Sequence, residues 1–371
     1  MPSVLHVCTR YLRGASERRL LDVMRAMPEA EHHLVVGGDS WPALAEARVP
    51  IASLTIEPTL VRRISLVDDA RAVLRLARMI RRQRPNLVVT HQSKSGAVGR
   101  AAVLLAGRPP TVHVLSMASH GAGASGRRAS RVFDLVERLL EPVTIRYATV
   151  GSDLAERYVG LGIPREKIHV VRSGVDVDRQ TARAAARHRV LERYGLPDDR
   201  PLVMSISSLE ARNGTWKLPD LALRWRDLDP RPVLVVAGSG PLDLPVRRLL
   251  EEAGLAGDAA VVGHVEDERD LVAAADAVVA LFRDGGLPEV LVHAAVAGAP
   301  FVAYDVDGAS ELVAMGADGS LVPVGDVAAA ADAVADVLRS GRRGRPVDPS
   351  PWSTSVVQAA FRDVVGEALA S

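Results

Sequence analysis

Cysteine is nearly absent from this 371-residue chain: Cys8 stands alone, so neither a disulfide framework nor a cysteine-based zinc site can be built. Aromatic residues make up only 4% and do not interleave with basic runs, which argues against nucleic acid as a partner. No uncharged apolar run of about 18 residues occurs, so there is no candidate membrane span. The start MPSVLHVCTR lacks the apolar core of a secretory signal, and a cytoplasmic location is the expectation. Also missing are a His-Glu-x-x-His helix, a phosphate-binding P-loop and a Gly-x-Ser-x-Gly elbow, which removes the zinc-protease, P-loop and serine-hydrolase classes. Lysine is scarce too; Lys94, Lys167 and Lys217 are its three occurrences.

What is present is ordinary in amount but uneven in placement. An apolar fraction of 48% and a charged fraction of 25% describe a folded globular chain. At roughly 100–200 residues per domain, the length favours two domains. The net charge of +1 conceals an asymmetry, since residues 1–180 carry 27 Lys+Arg against 17 Asp+Glu, and residues 181–371 carry 19 against 28. Solvated helix faces account for the basic half; the alternative is a surface for an anionic ligand or membrane, with Arg62-Arg63 and Arg81-Arg82 as its headgroup contacts.

Short Val/Ile/Leu-rich runs alternate with amphipathic stretches along the chain. The runs Val4–Val7, His33–Val36, Ile51–Leu54, Leu87–Thr90, Thr111–Leu115, Tyr147–Val150 and Ile168–Val171 read as buried strands. So do Leu202–Ile206, Val233–Ala237, Ala259–Val262, Ala277–Leu281 and Phe301–Tyr304. Helical patterns fall between them, among them Glu17–Met27, Val67–Gln83, Leu244–Ala253, Glu289–Ala297 and Val327–Arg339. Strands apolar on both faces with helical crossovers indicate parallel sheets, here in two Rossmann-like domains. The boundary is expected near 180–200, around the turn-rich Gly195–Pro201, with domains 1–180 and 181–351 and a last helix in 352–371. His120–Ser130 is too rich in Gly, Ser and Arg to bury apolar area and reads as a loop. Cys8 reads as a small buried hydrophobe.

Five segments, in order, then resemble one family. Thr9–Arg18 resembles the first glycine loop of the family 4 retaining glycosyltransferases, and His91-Gln-Ser-Lys-Ser-Gly96 its strand-to-helix turn. Val171-Arg-Ser-Gly-Val-Asp176 resembles the element before its linker. Ala237-Gly-Ser-Gly-Pro241 resembles its Gly-x-Gly-Pro strand end, and Gly285–Ala294 followed by Gly298–Pro300 and Asp305–Gly308 its donor-site signature. The resemblance implies the GT-B architecture: two α/β domains with parallel sheets facing across a cleft, an N-terminal acceptor domain, a C-terminal nucleotide-sugar domain, and a final helix returning to the first. It also implies a metal-independent retaining transfer with no cofactor beyond the nucleotide-sugar co-substrate, the diphosphate being held by protein cations and a helix N-terminus.

Carried over residue by residue, the donor side of the first domain reads Gly14 and Ala15. The phosphate segment reads Ser208 at the family's arginine position and Asn213 at its lysine position, with Arg212 and Lys217 near enough to substitute. Gly238 and His264 follow the next strands. The paired glutamates read Gly285 and His293, flanked by Gly286 and Leu287, whose backbone N–H groups face an anion whatever the side chains. Asp284, Ser116 and His113 are the catalytic candidates; Ser93, Lys94 and His120 are the acceptor candidates, although Ser93-Lys94-Ser95 also reads as a simple helix cap. Glu289 suits the first turn of its helix. A sulfur acceptor would need little help with deprotonation, which points to small-molecule, secondary-metabolite chemistry. A catalytically degenerate partner protein and a membrane-surface transferase using a lipid-linked acceptor are the alternatives; a homodimer is left open.

Overall fold

The computed structural model describes residues 1–11, 15–38, 51–61, 63–117, 127–175, 182–283, 286–306 and 308–370, and for 15–17 and 127–130 the backbone alone. The chain divides into two compact units. One holds most of residues 1–176 together with Pro351–Ser371, and the other holds 177–350.

In the first unit, β1 (Ser3–Cys8), α1 (Ala15–Arg25), β2 (Glu31–Gly37), β3 (Ser53–Glu57), α2 (Leu66–Gln83), β4 (Leu87–His91) and α3 (Ser93–Ala106) are followed by β5 (Thr111–Leu115), α4 (Arg127–Leu140), β6 (Arg146–Thr149), α5 (Ser152–Gly160) and β7 (Ile168–Val170). All seven strands pair in parallel in the order β3-β2-β1-β4-β5-β6-β7. β1, β4 and β5 are buried nearly throughout, which is why their sequences are mostly apolar without an alternation of exposed polar residues, their histidines being buried too.

The second unit runs α6 (Arg183–Tyr194), β8 (Leu202–Ile206), α7 (Leu218–Leu223), β9 (Val233–Ala237), α8 (Asp243–Glu252), β10 (Ala259–Gly263), α9 (Arg269–Ala274), β11 (Ala277–Ala280) and α10 (Glu289–Val296). It continues with β12 (Phe301–Tyr304), α11 (Ala309–Ala314), β13 (Gly319–Val322) and α12 (Val327–Ser340). Its six strands are also parallel, in the order β10-β9-β8-β11-β12-β13. The strand order reverses beside the first strand in both sheets, between β1 and β4 and between β8 and β11. Such a reversal splays the connecting loops at the strands' carboxyl ends and opens a crevice there.

The last helix, α13 (Thr354–Ala370), belongs to the first unit: Val357, Phe361, Val364, Val365 and Ala368 are buried among Val4, Val23, Val89 and Ala148. Two buried residues, Arg19 and Trp352, bind α1 and the 171–175 segment into this unit. Arg19, 1% exposed, donates to the Arg172 carbonyl at 2.9 Å and the Ala148 carbonyl at 3.2 Å, with its guanidinium 5.1 Å from the Phe361 ring centroid. Burial lowers its pKa to about 9 despite Asp22 nearby. Trp352 accepts the Val175 N–H through its carbonyl at 2.9 Å.

The expected strands are present with small shifts at their ends. β3 begins two residues later than the run Ile51–Leu54, and β13 was not expected because Gly319-Ser-Leu-Val has only one fully buried position. α4 starts at Arg127 and takes the end of the segment read as a loop; α5 and α7 were likewise not anticipated.

Candidate functional site

In the second unit, the loops after β8, β9, β11 and β12 close around the point where the strand order reverses. Gly238 sits at φ +132°, and a Cβ there would lie 1.8 Å from the Ser207 carbonyl oxygen. Gly214, at φ +69°, lies against the Leu281 carbonyl, where a Cβ would be 2.2 Å from the oxygen. Only glycine meets both demands, a left-handed backbone and no side chain. Ser207 and Leu209 donate to the Ala237 and Ser239 carbonyls at 3.1 and 3.0 Å, which fixes the β8 loop on the β9 loop. The Arg283 N–H donates to the Arg212 carbonyl at 3.0 Å, which fixes the same turn on the β11 loop.

Within this frame the predicted residues fall as follows. The Asn213 amide is buried and donates to the Ser208 carbonyl and hydroxyl at 2.7 and 2.8 Å, so the two replacement residues bond to each other. Arg212 pairs with Glu210 at 3.1 Å. Lys217 pairs with Asp220 at 3.0 Å and lies 4.2 Å from the Trp216 ring centroid. Neither of the cations expected to substitute for the missing charges stands without a carboxylate. His293 is 3.6 Å from Glu268, mostly buried on α10. His264 is exposed just past β10, whose final Gly263 carbonyl accepts from the Gly238 N–H at 2.7 Å. Leu287 is buried, and its backbone with that of Gly286 lies just before α10. Asp284 and Gly285 lie outside the described residues, as do Gly14 and His120; Ala15 opens α1.

Two groups at these strand ends were not picked out from the sequence. Arg283 follows β11, and its Nε is buried with no hydrogen-bond partner. Tyr304 ends β12, is 1% exposed, and its hydroxyl is likewise buried and unpartnered. Burial pushes the Tyr304 phenol up, and the neighbouring Arg283 charge opposes that shift.

The first unit carries its own distinctive end. Gln92 follows β4 with φ 66° and ψ 175°, a backbone state rare for a residue with a Cβ. It is the N-cap of α3 without a side-chain bond, so the cap is Gln92 and not the serines after it; Ser95 bonds back to the His91 carbonyl instead. Lys94 is held by Asp69 of α2 and donates to the Arg63 carbonyl at 3.1 Å, a tie between helices. His113 corrects a catalytic expectation: it is 0% exposed, bonds Thr90, and lies so close beneath Gly96 that a Cβ there would be 2.2 Å from its ring. Burial and the Arg100 charge lower its pKa well below the usual range. A ring so enclosed touches no substrate. Ser116, partly exposed beyond β5, keeps access.

Beneath Gln92 runs a chain of buried histidines. His91 Nε2 is 3.2 Å from His6 Nδ1, His6 Nε2 is 3.0 Å from His32 Nδ1, and His32 Nε2 is 3.0 Å from the Met27 carbonyl. A carbonyl only accepts, so His32 donates from Nε2 and each neutral ring in turn must donate from the same nitrogen. That leaves His91 with a lone pair on Nδ1 at the carboxyl end of β4. Burial first, and then neighbouring rings or the Arg19 charge, hold His6 well below its ordinary pKa and His91 at about 3.

A cavity of about 290 Å³ lies elsewhere, at the amino ends of the second unit's strands, between Arg183, Arg187, Arg200 and Arg343. Arg183 and Arg187 pair with Asp276, Arg200 pairs with Asp258, and Arg343 donates to the Ala275 and Ala297 carbonyls, so it reads as a structural mesh of ion pairs and backbone bonds. Among the described residues no group of three or more His, Cys, Asp or Glu has the geometry to hold a metal, and no helix is long and apolar enough to cross a membrane.

Comparison with known proteins agrees with this geometry. A model described as Glycosyltransferase Family 4 matches residues 16–179, and one described as Glycosyl transferases group 1 matches residues 187–346. The Escherichia coli UDP-Gal:alpha-D-GlcNAc-diphosphoundecaprenol alpha-1,3-galactosyltransferase is 27% identical over 73% of this chain and 70% of its own. The 2-deoxystreptamine N-acetyl-D-glucosaminyltransferase of Streptomyces fradiae is 27% identical over 86% of this chain and 76% of its own. A mycolicibacterial GDP-mannose-dependent mannosyltransferase matches at 33%, but over only 46% of this chain and 47% of its own. Among solved structures, Anabaena HepE in complex with UDP-glucose superposes with a TM-score of 0.73 at 17% identity, covering 99% of this chain and 100% of that one. WaaG, from lipopolysaccharide biosynthesis, gives 0.66 at 17%, covering 98% and 95%.

Proposed function

Because the chain belongs to the group 1, family 4 glycosyltransferases of the GT-B fold, we propose that it transfers a sugar from a nucleoside-diphosphate sugar to a small-molecule acceptor with retention of configuration and without a metal. The observation that carries this reading is the closure of the β8, β9, β11 and β12 loops on one another at the strand reversal of the second unit. A crevice so placed suits a nucleotide. The N–H groups of Gly286 and Leu287 are the candidates to face the diphosphate, with His293 and His264 beside it. Charge develops on the leaving diphosphate as the glycosidic bond breaks, and fixed dipoles and cations aimed at it lower the barrier. One of the leaving phosphate's oxygens takes the acceptor's proton on the same face as the departing group.

The acceptor belongs to the first unit, at the carboxyl ends of β4 and β5, where the partly exposed Gln92, Ser93 and Ser116 follow neighbouring strands. The match over 86% of the chain to a protein named for transfer to 2-deoxystreptamine supports a polar small molecule there.

Thermal denaturation against UDP-, GDP- and dTDP-sugars at millimolar concentration tests the donor assignment. One class raises the melting temperature by mass action, and failure of all of them overturns it. The anomeric configuration of a product made in the presence of EDTA then decides retention and metal independence.

A further inference from the structure

We propose that Arg283, with the Tyr304 hydroxyl beside it, is the cationic clamp for the donor's diphosphate, taking over from the charges that Ser208 and Asn213 do not supply. The assignment rests on the donor-binding reading above, and three observations carry it.

First, the location is right for the ligand and the backbone coupling is direct. Arg283 and Tyr304 stand at the carboxyl ends of adjacent strands beside the strand reversal, and the Arg283 N–H bonds the Arg212 carbonyl at 3.0 Å. Its backbone therefore lies against the same turn that carries Asn213. Second, both groups have buried polar atoms with no partner, Nε of Arg283 and Oη of Tyr304, although Tyr304 is 1% exposed. Buried polar atoms are ordinarily satisfied, and a part-buried guanidinium nitrogen without an acceptor opposes folding. An anion between the two groups would satisfy both. Third, the neighbouring cations are already engaged: Arg212 with Glu210 and Lys217 with Asp220. A planar guanidinium suits a phosphate better than an ammonium does, since it presents two parallel N–H donors.

The test uses the full chain, with Arg283→Gln and Tyr304→Phe, and measures UDP, GDP, uridine, guanosine and inorganic pyrophosphate by calorimetry at several salt concentrations. Loss of one charge-assisted contact weakens the bound diphosphate about 10- to 100-fold in the Arg283→Gln protein. It leaves the matching nucleoside's affinity unchanged and flattens the dependence on salt. Tyr304→Phe weakens the diphosphate less, in the same direction. The ligand-free Arg283→Gln protein melts no lower than the parent, because the substitution removes a cation that folding leaves uncompensated; a purely structural arginine would give a lower melting temperature. If the parent binds UDP or GDP and Arg283→Gln binds it equally well, the clamp assignment fails alone. If the parent binds neither nucleotide nor pyrophosphate, the donor-binding reading and the clamp fail together.

Discussion

The buried pair between Arg100 and Glu137 gives the most demanding test of how the first unit is held together. Arg100 projects from α3 and is 0% exposed; Glu137 of α4 is 2% exposed. The guanidinium makes two bonds to the carboxylate, at 2.9 and 2.8 Å, and donates from Nε to the Gly96 carbonyl at 3.0 Å. It also reaches the Tyr147 hydroxyl at 3.3 Å and lies 5.8 Å from that ring's centroid. Replacing Arg100 with Met keeps the volume and strands the carboxylate in the core. Breaking a buried pair on one side costs about 3–5 kcal/mol, whereas replacing both partners by apolar residues is close to neutral. Arg100→Met is therefore expected to destabilise the first unit by that amount, and Arg100→Met with Glu137→Leu to recover most of it. Native-state hydrogen exchange of the β4, β5 and β6 amides reads this unit without interference from the other. Protection should fall by about two to four decades in the single variant, at about 1.4 kcal/mol per decade. A loss under tenfold, or a double variant as unprotected as the single one, would refute the view that the pair is desolvated and mutually compensating.

Three further outcomes follow from the same kind of reasoning. His6 and His91 have pKa values depressed below the unfolded value near 6.5, so the unfolded state binds their protons first as pH falls; stability should be level above about pH 7 and decline from pH 6.5 toward 3, approaching about 1.4 kcal/mol per pH unit for each ring. Urea midpoints across that range check it, and His91→Asn should make the decline shallower. Gly238→Ala forces a Cβ into the Ser207 carbonyl at a positive φ, and should lower the melting temperature of the second unit and weaken nucleotide-sugar binding by more than about 1 kcal/mol, measured by thermal shift with and without ligand. Phe361→Ala, in a fully buried position beneath Arg19, should cost about 3–5 kcal/mol in the first unit while amide protection in β8 and β9 stays unchanged.

Much of the fold was legible because its strands are buried on both faces. Runs such as Leu202–Ile206 and Val233–Ala237 have no polar residue beyond a serine, and periodicity is not needed to find them. Short elements at the sheet's margin were not legible. Gly319–Val322 is only partly buried, and Leu218–Leu223 is a six-residue helix with a proline in its first turn. The candidate site was legible where backbone geometry demands a residue type. Gly238 announces itself because nothing else fits its φ and its neighbour. Side-chain roles were less so, since a partner distant in sequence decides them. Lys94 is committed to Asp69, and His113 disappears under Gly96, for reasons that no local pattern contains. Arg283 drew no notice because nothing in its neighbourhood of sequence says that its counter-charge is missing.

The placement of α13 has a consequence for how the chain comes to be folded during synthesis. The main core cluster of the second unit lies between β8 and α12, and it can close as soon as residue 340 or so has emerged. The first unit, though made earlier, lacks Phe361, Val364 and Val365 until some twenty to twenty-five residues later. Until then the face of its sheet that α13 covers stands open, with Val4, Val89 and Val112 uncovered. The unit translated first is thus the unit completed last. The nascent chain's exposure to chaperones and to aggregation should be concentrated on that one open face of the N-terminal sheet.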